Sequence, residues 1–416
     1  MPSFVNKAPR QRRRGGKRNL SGPLISSALL LCCIAGLFCP TQLALVGLGS
    51  LTQPLTLLGY AGGVCYVLLN IKRLVIDWPV ALTAAYVGNA LATTATNGQF
   101  TTLFLQTLAS EALLCLLVQI ALSKESVLFV RLSFYVMALY VTANAVFILA
   151  NISAHPDGFY RSSGPDAMAG VWLLGHKNQL RNWIIPAIAL SYLLDIVSKN
   201  TVTMRTLIIT VIGIVSAYYS DSATTFIVLL IIGTLLFVVM VLKRHRTAIL
   251  NPINGTIFSG ALFFVCVFMR KIPVLGSFIE DLLGRDASFT GRTGIWDRAI
   301  SGIGENPFGS GYFTTSRAIL ATDGGYIVNH AHNAYLDTTL KYGIFGLATF
   351  LGLIFYAVFS LVKQGDARIR AVLSACLVSF LICGVFGELF NNGFALVLYL
   401  CCYSASIGNT DADSAK

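Results

Sequence analysis

The chain of 416 residues is strongly apolar, with 55% hydrophobic residues, 12% charged residues and a mean hydropathy of +0.72. Because soluble domains carry about 25% charged residues, this composition excludes a protein that covers itself with a wetted surface and predicts lipid as its solvent. The net charge of +12 does not indicate nucleic acid, since the basic N-terminal tail has no aromatic residue after Phe4. We attribute the charge to membrane topology and to anionic membrane lipid.

Apolar segments follow one another along the chain with short polar breaks, which indicates one membrane domain. A helix needs about 20 apolar residues to cross the hydrocarbon core. After a basic tail at 1–20, we place nine candidate spans within 21–270 and three within 335–409, before a short tail at 410–416. The predicted spans are 24–42, 52–71, 79–96, 103–122, 126–150, 182–198, 206–220, 223–242, 254–270, 335–362, 371–387 and 393–409.

The lysine and arginine residues predict the orientation of these spans, since short cytoplasmic loops are enriched in them. With the basic tail in the cytoplasm, the breaks on the same side are all basic, so we expect about twelve spans and two cytoplasmic termini. Two longer polar loops, at 151–181 and 271–334, then lie outside. The basic breaks carry Lys72 and Arg73; Lys124; Lys199 and Arg205; Lys243, Arg244 and Arg246; and Lys363, Arg368 and Arg370.

The outer loops and the adjoining span ends carry the polar motifs. Loops longer than about 15 residues are usually functional or disordered, and the aromatic residues within 271–334 favour an ordered one. In it, TGRTGIW is followed by NPFGSG, and HAHNAYLDTTLKYGIFG leads into the next span. The 151–181 loop ends in GHKNQLRN, while SDSATTF and GELFNN lie at the outer ends of spans. The 271–334 segment is therefore the candidate catalytic loop.

These motifs resemble those of a known superfamily. His332-Asn333, followed by Gly343 and Gly346, is similar to the signature of the O-antigen ligase and polymerase superfamily, and TGRTGIW, NPFGSG and HKN resemble its exopolysaccharide repeat-unit polymerase branch. The resemblance implies an all-α fold like that of the C-type membrane glycosyltransferases. It also implies inverting, metal-independent transfer of glycan from undecaprenyl or another polyprenyl pyrophosphate, without a cofactor.

The residues suit this chemistry, which must deprotonate an acceptor hydroxyl and hold the charge of a departing pyrophosphate. His332 is the predicted general base, since an imidazole accepts a proton near neutral pH, and His330 could act instead or assist. Arg292 is the first predicted pyrophosphate ligand, because a guanidinium binds phosphate oxygens in pairs and stays charged. Structural alternatives stay open: His332 could cap or pack, and Arg292 could stack on Trp296 or pair with Asp297.

A second cation is harder to assign, because the superfamily usually supplies an arginine from a Ser-Arg motif at the outer surface. SDSATTF stands at the corresponding place and has Asp221 and Ala223 instead. Lys177 and Arg181 are the predicted substitutes, although an interfacial basic pair can also serve lipid headgroups.

Supporting roles are predicted for polar and aromatic residues around this centre. His176 and Asn178 could bind sugar hydroxyls or cap a helix. Glu388 could orient His332 or the acceptor. Trp296 and Tyr312 could stack on sugars or act as core residues. The long loop has no DxD motif and only Glu280-Asp281 as a carboxylate pair, so we expect no metal site. The supporting residues are His176, Asn178, His330, Asn333, Glu388, Trp296 and Tyr312.

We predict a membrane glycosyltransferase that polymerises lipid-linked oligosaccharide repeat units into an exopolysaccharide or O-antigen-like glycan on the extracytoplasmic face. Two alternatives stay open: an O-antigen ligase that transfers glycan to lipid A core or another acceptor, and a transporter of lipid-linked glycans. The polar motifs lie in the outer loops and few charges lie mid-membrane, which favours an enzyme over a transporter. The resemblance implies the cell inner (cytoplasmic) membrane as location, with a flippase and a chain-length regulator as candidate partners.

Overall fold

The structure, a computed structural model, describes residues 21–40, 42–159, 170–241, 250–269, 292–321, 328–389 and 391–408. The predicted tails and the Glu280-Asp281 pair lie outside these residues. The described residues are mainly helical, and their sheet is a hairpin of two antiparallel strands, β1 (Val171–Trp172) and β2 (Gly175–His176). The helices are α1 (Ser21–Leu37), α2 (Thr52–Leu69), α3 (Trp78–Asn97), α4 (Thr102–Asn151), α5 (Arg181–Lys199), α6 (Met204–Tyr219), α7 (Ala223–Met240), α8 (Pro252–Val267), α9 (Arg292–Glu305), α10 (Thr314–Leu320), α11 (Ala334–Lys363), α12 (Ala367–Val385) and α13 (Asn392–Cys402).

Five helical segments among the described residues are long and apolar enough to cross a membrane, by length and composition. This is consistent with the predicted all-α, multi-pass membrane protein. The number of twelve spans, the positions of the termini and the side on which each loop lies remain predictions. The five segments are Thr102–Asn151, Lys177–Lys199, Ala223–Met240, Ala334–Lys363 and Ala367–Val385.

Helix α4 covers two of the predicted spans, 103–122 and 126–150. Its backbone is non-helical at Glu125, with φ −152° and ψ 56°. An unbroken helix of 50 residues would be about 75 Å long, more than twice the hydrocarbon core of about 30 Å. The Glu125 carboxylate accepts hydrogen bonds from Ser26 and Tyr66, which fix the break against α1 and α2. The break therefore divides α4 into two lengths that each suit one crossing.

Helix α11 is interrupted by Gly343, whose φ of 68° lies in the left-handed region that favours glycine. The NPFGSG loop, 306–311, fills this break. A loop N–H group donates to the carbonyl of Leu340, and the helix N–H of Ile344 donates to the carbonyl of Pro307. A Cβ atom at Gly343 would collide with the loop backbone. The predicted tenth span is thus two helical lengths joined around the NPFGSG loop.

Helices α5, α12 and α13 form the centre of the bundle, since nearly all of their side chains are buried. The helices around them expose many leucine, isoleucine and phenylalanine side chains. Such apolar surfaces are expected where a helix faces lipid. The polar side chains that remain at the central helix ends can therefore meet one another away from lipid.

A second hydrophobic cluster holds α9 and α10, which are the described helices of the 271–334 segment. Its largest member is the fully buried Trp296 of α9. The packing fixes the start of α9, with Arg292, against the start of α11, which follows His332. The other buried members are Cys266, Val267, Ile295, Ala299, Leu320, Ala331, Leu336, Leu340 and Val385.

Candidate active site

His332 lies in a tight turn immediately before α11 and is half-buried. Its backbone φ of 50° is a left-handed conformation that is uncommon for a residue with a side chain. The backbone N–H of His332 donates to Nδ1 of His330 at 3.2 Å, and the two ring centroids are 4.1 Å apart. The turn therefore holds two imidazoles side by side.

Asn333 is the N-cap of α11 and fixes one end of this turn. Its Oδ1 accepts the backbone N–H groups of Tyr335 and Leu336, and its Nδ2 donates to the carbonyl of Val385 at 3.0 Å. The fully buried Asn333 is therefore a supporting residue that ties the start of α11 to the end of α12. Because Asn333 caps the helix, the capping role considered for His332 is already filled.

Asp337 fixes the other end of the turn. Its carboxylate accepts the N–H of Ala331 at 2.8 Å and forms an ion pair with Lys341 at 2.6 Å. Both charged side chains are buried. Removing one partner of such a pair leaves a costly uncompensated charge, so the ion pair with Lys341 stabilises Asp337 in the position from which it holds the turn of His332.

Arg292 is the first described residue of α9 and is half-buried. Its Nη1 donates to the carbonyl of Phe386 at 3.0 Å. Burial, together with the charges of His330, Arg292 and His176, lowers the pKa of His332 to about 3. The guanidinium of Arg292 thus lies close enough to act electrostatically on His332, whose imidazole is neutral at neutral pH.

Arg181, at the start of α5, is only 3% exposed. Its Nη2 donates to the carbonyl of Glu388 at 3.0 Å, and its guanidinium lies against Gly387. Arg181 and Arg292 are therefore anchored on neighbouring carbonyls of the same stretch of backbone. Because Arg181 is buried, direct contact with a pyrophosphate would require the site to open.

The GHKN segment begins with the two residues of β2 and contacts SDSATTF. His176 caps the short 3-10 helix after it, since its Nδ1 accepts the N–H of Asn178 at 3.3 Å. Nζ of Lys177 pairs with Oδ2 of Asp221 at 2.7 Å, and the hydroxyl of Ser222 donates to Oδ1 of Asn178 at 3.2 Å. Lys177 therefore reaches the segment in which the superfamily pattern places its second arginine.

Glu388 is half-buried beyond the end of α12. Burial raises the pKa of Tyr312, the charge of Lys341 lowers it, and the carboxylate of Glu388 raises it. The Glu388 carboxylate therefore lies close enough to act electrostatically on Tyr312. Its role in orienting His332 or an acceptor remains a prediction.

The two aromatic residues predicted to stack on sugars or to act as core residues differ in exposure, since Trp296 is buried and Tyr312 is half-buried. Trp296 has no exposed surface, because its ring is the centre of the cluster under α9. The ring of Tyr312 stacks on Phe104 at 4.9 Å, and Nζ of Lys341 lies 5.2 Å from its centroid. Both rings pack next to the site, and sugar stacking remains a prediction.

Sequence reasoning missed Asp337 and Lys341 as site residues. Their opposite charges at an i, i+4 spacing were a signal, since such side chains meet on one helix face. It also missed Gly387 and the carbonyl groups that hold the two arginines. Nothing in the residue types marks a backbone carbonyl as an anchor.

The arrangement combines a neutral imidazole with a fixed guanidinium, so it can accept a proton beside a bound anion. Among the described residues, His, Cys, Asp and Glu side chains form no group of three or more that could hold a metal ion. An imidazole and a fixed guanidinium are the groups of a general base and of an anion site.

Comparison with protein families matches residues 208–351 to the family described as O-antigen ligase. The match covers less than half of the 416 residues. It includes Asp221, Arg292 and His332, while Lys177 and Arg181 precede it. No curated protein matches the chain. The family match supports assignment of the chain to the O-antigen ligase and polymerase superfamily, as its motifs predict, and with it a role in glycan processing.

Proposed function

We propose that the chain polymerises oligosaccharide repeat units carried on polyprenyl pyrophosphate into an exopolysaccharide or O-antigen-like glycan. The reaction takes place on the extracytoplasmic face of the cell inner (cytoplasmic) membrane. The observation that carries this proposal is that Arg292 and the turn of His332, through Asn333, are anchored on the consecutive carbonyl groups of Phe386 and Val385. A flippase that delivers the repeat units and a regulator of chain length are the proposed partners.

The proposed step is a single displacement at the anomeric carbon of the donor sugar. His332 removes the proton from an acceptor hydroxyl, whose oxygen forms a new bond to that carbon. The bond from the carbon to the pyrophosphate oxygen breaks, and polyprenyl pyrophosphate leaves with the electron pair. Configuration inverts, because the acceptor enters opposite the leaving group. Arg292 holds the charge that develops on the pyrophosphate.

The state of His332 suits a base that acts only when the donor is present. Its pKa of about 3 keeps the imidazole neutral but makes it a weak base. A bound pyrophosphate adds negative charge that offsets the charge of Arg292, and this favours the protonated imidazole. The pKa of His332 therefore rises when donor binds, which brings the base closer to the strength that the reaction needs.

Lys177 is the proposed second pyrophosphate ligand. Its side chain is 36% exposed, whereas Arg181 is buried. The pair with Asp221 is mostly exposed, and such pairs contribute only about 0 to 1 kcal/mol, so a pyrophosphate can compete for Lys177. The buried Arg181 contributes a fixed positive charge to the site.

A ligase is the second candidate, because the matching family is described as O-antigen ligase. A ligase uses the same donor and the same leaving group, so His332 and Arg292 would act alike. The two activities differ in the acceptor, which is another lipid-linked repeat unit for the polymerase and lipid A core or another molecule for the ligase.

The test uses the full chain in lipid nanodiscs and lipid-linked repeat units extracted from cells of the source organism that lack this protein. We expect a ladder of longer lipid-linked glycans from the wild type and none from His332→Gln. Transfer that begins only after an outside acceptor is added would assign a ligase. A wild-type protein that transfers no glycan under either condition would contradict the proposal.

A further inference from the structure

Residues 385–388, which we call the carbonyl segment, anchor side chains from three separate parts of the chain. The segment begins at the last residue of α12, so its carbonyl groups have no partner within that helix. Side chains from the starts of α5, α9 and α11 donate hydrogen bonds to these carbonyl groups instead. Asn333 donates to Val385, Arg292 to Phe386 and Arg181 to Glu388, each at 3.0 Å.

Gly387 leaves the room that this arrangement needs. A Cβ atom on Gly387 would stand 2.5 Å from Nη2 of Arg181 and 3.4 Å from its Cζ. The backbone of Gly387 is not among those with a positive φ, so an alanine can adopt its conformation. The obstacle to a side chain is therefore the end of Arg181 and not the backbone conformation.

We propose that Gly387 is a positioning residue for the proposed transfer reaction. Because Gly387 has no side chain, the buried Arg181 can hold the carbonyl segment in a fixed position. Arg292 and the turn of His332 are anchored to the same segment. A methyl group at Gly387 must move either the guanidinium or the segment. In both cases the anchors of the base and of the pyrophosphate ligand shift relative to each other. This inference rests on the proposed function.

The size of the effect follows from how steeply transfer depends on geometry. A displacement of about 1 Å can cost about 100-fold in rate, and a methyl group forces a movement of this order. Ordinary packing of Gly387 would instead lower the amount of folded protein while leaving the rate per folded molecule unchanged.

The experiment compares Gly387→Ala, Arg181→Ala and the double variant in nanodiscs. Gly304→Ala is the matched control, because a Cβ atom there meets nothing within 4 Å and Gly304 lies on α9. The rate of glycan elongation per folded molecule is measured with the extracted lipid-linked repeat units. Hydrogen exchange of the peptides around His332 and Arg292 is measured without substrate.

We expect Gly387→Ala to elongate glycans about 10- to 100-fold more slowly than Gly304→Ala, with faster exchange around His332. In the Arg181→Ala background, Gly387→Ala should add little further loss, because the methyl group then has room. If Gly387→Ala and Arg181→Ala slowed elongation independently, so that their fold losses multiplied in the double variant, the proposal would be overturned. So would a Gly387→Ala protein that matches Gly304→Ala in both readouts.

Hydrogen exchange separates this inference from the proposed function. If the wild type transfers no glycan but Gly387→Ala still loosens the turn of His332 through Arg181, the function is wrong and the positioning role stands. If the wild type elongates glycans and Gly387→Ala exchanges and elongates normally, the function stands and the positioning role is wrong.

Discussion

The imidazole of His332 and the guanidinium of Arg292 are electrostatically coupled, although they precede or begin different helices. Each is anchored to the end of α12, Arg292 through Phe386 and the turn of His332 through Asn333. The buried cluster around Trp296 keeps α9 packed on α11. The fold therefore holds the imidazole of His332 and the guanidinium of Arg292 as one unit.

Replacing His332 by glutamine should reduce transfer without unfolding the protein. A general base is typically worth about 10²- to 10⁴-fold in rate, and we expect a loss in this range. The thermal midpoint should stay close to that of the wild type, because Asn333 and not His332 caps α11. Elongation rates and thermal unfolding in detergent measure the two effects.

Asn333→Ala provides the contrast for that prediction. Loss of an N-cap costs about 0.5 to 2 kcal/mol, and this variant also loses the bond to Val385. We expect a lower thermal midpoint together with lower activity. If His332→Gln lowers the midpoint as much as Asn333→Ala does, the role of His332 is structural.

The pH dependence should differ between the free protein and the donor complex. A protonated His332 cannot accept a proton, so activity falls as pH decreases through its pKa. In the free protein that pKa is about 3, so kcat/KM should show no acid limb from this group above about pH 5. In the complex the pyrophosphate raises the pKa, so the acid limb of kcat should lie at higher pH.

Initial rates over a range of donor concentrations and pH separate these two limbs. His330→Gln is a useful comparison, because it removes one of the charges that lower the pKa of His332 and should move the acid limb to higher pH. An acid limb in kcat/KM near the ordinary histidine pKa of about 6.5 would contradict the lowering of the His332 pKa by burial and by the charges around it.

Helix positions were predictable because lipid requires long apolar segments, and every predicted span overlaps a helix in the structure. The break at Glu125 was also predictable, since Lys124 and Glu125 interrupt the apolar pattern. The break at Gly343 was not, because apolar residues continue on both sides of it. Its cause is the NPFGSG loop, which is distant in sequence and supplies the missing hydrogen bonds.

The site was predictable only in part. The roles of His332 and Arg292 came from residue chemistry and the family resemblance, and the structure brings these residues together. Of the two roles left open for Trp296, burial of its ring favours the core role over sugar stacking, which stays a prediction. The anchoring of Arg181 could not be predicted from the sequence. Every residue has a carbonyl group, and only the fold decides which carbonyl groups accept hydrogen bonds from side chains.

Asp221→Asn should strengthen binding of the pyrophosphate if Lys177 is the second ligand. The substitution removes the charge that competes for Lys177 while keeping a similar shape. We expect donor affinity to rise about 2- to 5-fold, since an exposed pair is worth up to about 1 kcal/mol. Lys177→Met should weaken it. Titration with undecaprenyl pyrophosphate in nanodiscs measures both, and equal affinities in all three proteins would exclude Lys177.

Lys341→Met should destabilise the protein by about 3 to 5 kcal/mol, because it leaves the buried carboxylate of Asp337 without its partner. Lys363→Met is the control, since Lys363 is exposed at the other end of α11. Thermal unfolding in detergent should show a clear drop only for Lys341→Met. Equal midpoints for the two variants would mean that the ion pair does not hold the turn of His332.

The central claim is that His332 and Arg292 act on one donor, and an electron cryo-microscopy structure of the full chain with a lipid-linked repeat unit bound tests it most directly. The account predicts pyrophosphate oxygens within hydrogen-bond distance of Arg292 and the anomeric carbon facing a space beside the His332 ring. A pyrophosphate bound away from Arg292, or a donor sugar that His332 cannot reach through an acceptor hydroxyl, would contradict it.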